Sequence, residues 1–122
     1  MIRNKTGLWG EIFAVRYMRD IGYKILETNY KCRFGEVDVI ALKNEVICVV
    51  EVKTRNKNTA VRPGEAVDFY KKSRLEASTR LYMTVKNLHY DEMRFDVCEV
   101  LLDDDMKLFS INYIKNAFQE GI

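Results

Sequence analysis

The chain has 122 residues, 48% of them hydrophobic and 31% charged, with a formal net charge of +2. That length suits one domain with one core, spanning 1–122, and the composition excludes a disordered chain. No apolar run reaches bilayer-spanning length, and the basic start Met1–Gly7 leads into an amphipathic segment rather than an apolar signal core, so no membrane partner and a cytoplasmic location are expected.

Residues from about Lys5 to Ile21 read as a helix. Leu8, Ile12, Val15 and Met18 form one stripe, with Trp9, Phe13 and Tyr17 beside it. Gly22 is a natural stop. Tyr23 to Lys31 reads as a first strand. Gly35 breaks the chain, and Glu36–Leu42 and Val46–Thr54 then form a hairpin around a polar break at Lys43-Asn44-Glu45. Asn56 to Gly64, with the only proline at Pro63, reads as a loop. Glu65 to about Val85 is helical in pattern, with Val67, Tyr70, Arg74, Ala77 and Leu81 near one face. Arg94–Leu102 is a strand, Asp103-Asp104-Asp105 a turn and Lys107–Ile111 a short edge strand. Asn112–Phe118 reads as a helical turn that packs Ile114 and Phe118. The order α-β-β-β-α-β-β describes an α/β domain with a mixed central sheet. Cys48 and Cys98 lie in apolar runs as small core residues, and with Cys32 they make an odd, unpaired set that fits a reducing compartment.

Charge is unevenly spread. Residues 53–80 hold eight lysines and arginines against three acids, whereas 91–105 hold seven acids and only Arg94. A basic patch beside acids suits a polyanionic substrate; two solvated faces of opposite sign are the plainer alternative.

The hairpin carries the chemistry. Residues two apart on a strand share a face, so Glu36 pairs in direction with Asp38, and Glu51 with Lys53. A turn centred on Lys43-Asn44 sets Asp38 opposite Val49, with Glu51 its diagonal neighbour. The run Val46–Val50 is apolar on both faces, as in a central strand. Charges emerging at the end of a buried strand need partners. Asp38 and Glu51 are candidate ligands for Mg²⁺ or Mn²⁺, hard ions that take oxygen donors, with the Val52 carbonyl as a further oxygen. Lys53 is placed to orient a water or hold a phosphate oxygen. Glu11 lies on one helical face with Leu8, Val15 and Met18, where a carboxylate needs a partner or a cation; a boundary glutamate in the first turn is an equal reading.

Lys71 and Arg74, one turn apart, are candidates for phosphate contact, and Arg55 continues the Glu51–Lys53 face. A solvated basic face is the alternative for the helix pair. His89, the only histidine, reads as a surface residue. Tyr30 and Phe34 suit base stacking or core packing equally well.

An acid on one strand followed by Glu-x-Lys on the next resembles the restriction-endonuclease-like superfamily. More closely, the chain resembles the YraN family of small bacterial proteins. The likeness runs through Gly10-Glu11, Gly22–Leu26, Asn29-Tyr30, Gly35–Ala41, Val50–Arg55, Ala66-Val67, Lys71, Arg74-Leu75, Arg94–Val97 and Ile114–Phe118. The resemblance implies a three-layer α/β/α restriction-endonuclease-like fold and a similarity to archaeal Holliday-junction resolvases. Their helix glutamate, strand aspartate and Glu-x-Lys pair fall here on Glu11, Asp38, Glu51 and Lys53, with Glu11 joining the metal ligands. Glu36 is additional, as a second ligand or a hydrogen-bond partner. The resulting expectation is a divalent-metal nuclease acting on DNA, ahead of RNA, including branched or structured DNA. The rival expectation is a nucleic-acid-binding module on a nuclease scaffold with little or no cleavage. A homodimer fits either, since cutting two strands benefits from two sites.

Overall fold

The computed structural model describes residues 5–58 and 69–117. Helix α1 (Lys5–Asp20) leads into strands β1 (Lys24–Cys32), β2 (Gly35–Lys43) and β3 (Val46–Asn56), followed by helix α2 (Phe69–Val85) and strands β4 (Glu92–Leu102) and β5 (Leu108–Ile114). The five strands form one sheet in the order β1-β2-β3-β4-β5. The β3–β4 pair is parallel and the other three are antiparallel, so the sheet is mixed as expected. Among the described residues, no helix is long and apolar enough to cross a membrane.

Alternation along the central strands creates two cores. Val39, Ala41, Cys48, Val50, Cys98 and Val100 pack with Ala14 and Met18 of α1. Ile40, Ile47, Val49, Phe95 and Val97 pack with Leu75, Tyr82 and Met83 of α2. A helix covers each face, which gives three layers.

Four local expectations are corrected. First, the hairpin turn is Asn44-Glu45, both with positive φ, as a two-residue turn of the primed type needs. Lys43 therefore pairs with Val46 and Ile40 with Val49, so Asp38 is not opposite Val49 but level with Glu51. Second, α1 buries only one end of the Leu8–Ile12–Val15–Met18 stripe, with Met18 in the core and Val15 packed against it. It buries Gly10, Ala14 and Met18, while Leu8, Trp9 and Ile12 stay 49%, 41% and 37% exposed. The small residues win because they let the helix approach the sheet; a Cβ on Gly10 would land on the Thr54 side chain, 2.7 Å from its Cβ. Third, α2 turns Leu75, Ser78, Thr79, Tyr82 and Met83 to the sheet, leaving Tyr70 and Arg74 exposed. Fourth, β5 continues through Asn112–Ile114, paired with β4, where a helical turn was expected; Ile114 still packs in the α2-side core. Residues 59–68 and Phe118, on which part of the loop, the start of α2 and one end contact were expected, lie outside the described residues.

The acidic run 91–105 is not one solvated face, because Asp96 is fully buried. Its Oδ1 accepts from Arg94 Nε at 2.8 Å and from Asn116 N at 2.8 Å. Its Oδ2 accepts from Arg94 Nη2 at 2.8 Å and from Tyr113 Oη at 2.6 Å. Arg94 also donates to Tyr23 Oη at 2.8 Å. Both carboxylate oxygens are thereby satisfied, which makes the buried charge tolerable.

Two stability outcomes follow. Gly10→Ala should cost about 1–3 kcal/mol in urea unfolding, and adding Thr54→Gly, which removes the obstructing side chain, should recover part of that loss. Asp96→Ala strands Arg94, Tyr113 and the Asn116 amide, and should cost about 3–5 kcal/mol in the same measurement.

Candidate active site

The primed turn sets β2 and β3 so that Asp38 and Glu51 lie level on the α2 side of the sheet, one register step beyond the Val39–Val50 pair. There the ladder gives way to a side-chain contact. Val52 N donates to Asp38 Oδ2 at 2.9 Å, anchoring the aspartate across the strand pair. Glu36, two residues earlier on β2, lines the same cavity of about 200 Å³ with Asp38, Glu51, Lys71 and Leu75.

Glu51 is the most deeply placed acid of the group, only 9% exposed. Its Oε1 forms an ion pair with Lys71 Nζ and lies 3.4 Å from Lys53 Nζ. Its Oε2 is buried with no hydrogen-bond partner. A buried carboxylate oxygen without a donor is costly, and such a group needs a water, a further donor or a cation.

Burial pushes the Asp38 carboxyl up, to about 6. The Val52 amide opposes this, while the fields of Glu11, Glu51 and Glu36 add to it. Glu11 thus acts on Asp38 although it belongs to α1, on the other side of the sheet. The close contact of Gly10 with Thr54 near the end of β3 explains how it comes so near. The structure therefore gathers Asp38, Glu51, Glu36, Lys53 and Lys71, and brings Glu11 within electrostatic reach.

The remaining candidates lie further out. Arg55 is half-buried and donates from Nη1 to the Thr54 carbonyl at 3.3 Å. Arg74 is exposed on α2. Tyr30 packs edge-on against Tyr82, with ring centroids 5.2 Å apart, so its role is in the core. Phe34 is at the surface with the Arg33 guanidinium 4.8 Å from its ring centre. His89 is exposed and contacts Asn87. Burial raises the Cys48 and Cys98 thiols, to about 11 and about 12, as inert core residues.

The sequence reading did not foresee that Lys71 turns inward. The signal was available: the buried ridge Leu75–Ser78–Thr79–Tyr82, followed back by one turn, arrives at Lys71. Leu75, which floors the cavity, belongs to the same ridge. The donor set suits a hard divalent cation: carboxylate oxygens only, one of them buried and unpartnered. Among the described residues, no three His, Cys, Asp or Glu side chains come together as a group that could hold a metal ion.

Asp38 has a measurable signature. The folded chain holds its proton to higher pH than the unfolded chain does, so without metal this group makes stability fall as pH rises from 3.8 to about 6. Asp38→Asn, which keeps an acceptor for Val52 N, should flatten that fall and stabilise the protein by about 1–3 kcal/mol at pH 7. Urea unfolding in EDTA across this pH range checks both points.

Residues 10–100 match the model of the family described as uncharacterised protein family UPF0102. A UPF0102 protein of Caldanaerobacter subterraneus subsp. tengcongensis is 42% identical over 96% of this chain and 98% of its own length. One from Clostridium perfringens (strain ATCC 13124) is 38% identical over 95% and 96%. One from Clostridium botulinum (strain Hall) is 41% identical over 93% of each chain. With the match spanning Glu11, Asp38, Glu51, Lys53 and Lys71, the chain belongs to the UPF0102 family, the YraN family that its sequence resembles.

Proposed function

We propose that this protein is a Mg²⁺- or Mn²⁺-dependent nuclease that hydrolyses phosphodiester bonds in DNA, including branched or structured DNA. The observation that carries the reading is the nine-tenths buried Glu51, whose Oε2 has no partner, level with an Asp38 whose carboxyl is pushed up to about 6 by burial and by neighbouring carboxylates. Asp38 and Glu51 would hold the cation, with Glu11 and Glu36 adding negative field. When bound, the cation supplies Lewis acidity and charge neutralisation at the scissile phosphate.

The chain's own residues do the rest. The Val52 amide fixes Asp38, so its carboxylate is held in place before substrate arrives. Lys53, on the same face as Glu51 with its side chain 23% exposed, can donate to a non-bridging phosphate oxygen and orient a water. Lys71, Arg55 and Arg74 supply positive charge for the backbone, a contribution that salt weakens steeply. Two copies acting as a pair would serve both strands.

A second reading has an observation in its favour. Among the described residues no group of three His, Cys, Asp or Glu side chains could hold a metal ion, and Glu51 Oε1 is already held by lysines. That arrangement also suits a nucleic-acid-binding module that does not cut.

The two readings separate on labelled linear, flapped and four-way-junction DNA incubated with Mg²⁺, Mn²⁺ or EDTA. The nuclease reading expects metal-dependent cleavage that drops by about 10²-fold or more in Asp38→Ala, Glu51→Ala and Lys53→Ala. Salt-sensitive binding with no cleavage in any metal would replace it with the second reading, and absence of both would remove both.

A further inference from the structure

We propose that Lys71 is a resident counter-ion on Glu51, which a divalent cation has to displace, so that this helix residue sets the metal affinity of the site. The inference rests on the nuclease reading above and assigns Lys71 a positioning role within it.

Two ammonium groups share Glu51 Oε1, and they differ in how they are held. Lys53 sits two residues away on the same strand, 3.4 Å from the oxygen, with its side chain 23% exposed. Lys71 arrives from α2 on a long flexible stem, forms the closer ion pair, and keeps its side chain 34% exposed along the cavity wall. Without a cation, a carboxylate buried this deeply would carry a heavy desolvation cost. Lys71 meets that need in the metal-free protein while leaving Oε2 open.

An incoming dication would meet positive charge already seated on one of its ligands. The ammonium and the metal repel each other across a cavity of about 200 Å³. Lys71 is the more exposed of the two and reaches Glu51 from another element, so it can swing into solvent when the cation enters. Released, the Lys71 ammonium joins Arg74, exposed one turn along α2, as a cation for the phosphodiester backbone. A lysine that only held α2 to the sheet would have no such link to metal.

The test is calorimetric titration of Mn²⁺ into EDTA-stripped wild type, Lys71→Gln and Lys71→Arg. Lys71→Gln should bind Mn²⁺ about tenfold more tightly, and Lys71→Arg, which keeps a cation on Glu51, should stay near wild type. A second measurement needs no substitution: in wild type, Mn²⁺ should raise acetylation of Lys71 by acetic anhydride, read by mass spectrometry. Equal or weaker Mn²⁺ binding in a folded Lys71→Gln, or Lys71 acetylation unchanged by saturating Mn²⁺, overturns the inference and leaves the nuclease reading standing. No Mn²⁺ binding by any of the three proteins overturns both.

Discussion

A carboxylate buried in a sheet needs donors or a cation for both of its oxygens, and this chain buries two that meet the need in opposite ways. Asp96 receives four donors from Arg94, Tyr113 and the Asn116 amide, and neither oxygen is left over. Glu51 receives ammonium groups on one oxygen and nothing on the other. Both acids are on central strands and nearly out of water, so burial alone does not distinguish them. Completeness of the hydrogen bonding does. Asp96 is finished by the fold, in keeping with a structural role. Glu51 is unfinished, and the carboxyl of its neighbour Asp38 is pushed up to about 6, first by burial and then by the surrounding carboxylates.

Three local devices bring these charged groups together in one place. The positive-φ pair Asn44-Glu45 closes the hairpin so that Asp38 comes level with Glu51 rather than with Val49. Gly10 lets α1 press against Thr54, which carries Glu11 toward the same end of β3. The parallel β3–β4 pair requires a crossover, and α2, lying on that crossover, brings Lys71 back over Glu51. The site lies at the middle of β3, where the apolar run Val46–Val50 ends. Each device is a backbone feature, and each has its effect on charge.

Much of this was legible in the sequence, for reasons that are physical. Strand alternation is rigid, so Glu51 and Lys53, or Glu36 and Asp38, share a face wherever the strand ends. The apolar run Val46–Val50 marked β3 as central, and its flanking charges as exceptional. Helix faces were harder. On α1 the close approach to the sheet is made by the small residues Gly10 and Ala14; of the large apolar stripe, Met18 is buried and Val15 packs against the core, while Leu8 and Ile12 face outward. On α2 the buried ridge includes Ser78 and Thr79, so hydropathy carries little signal. Asp96 looked like part of an acidic surface because Tyr23, Tyr113 and Asn116, which complete its surroundings, are remote in the sequence.

The two sides of the sheet consequently do different work. On the α1 side, apolar packing joins the Arg94–Asp96–Tyr113 network to tie β4, β5 and the entry to β1 into one unit. On the α2 side, packing by Ile47, Val49, Leu75 and Tyr82 stops short of the end of β3 and gives way to carboxylates and lysines. A frame that is satisfied on one side can carry a deficit on the other, because stability is a sum over the whole molecule whereas reactivity depends on local charge. Glu51 could be completed by one more donor to Oε2, and the fold would gain from it. An added donor would also occupy the one Glu51 oxygen without a hydrogen-bond partner, the oxygen that the proposed cation would need.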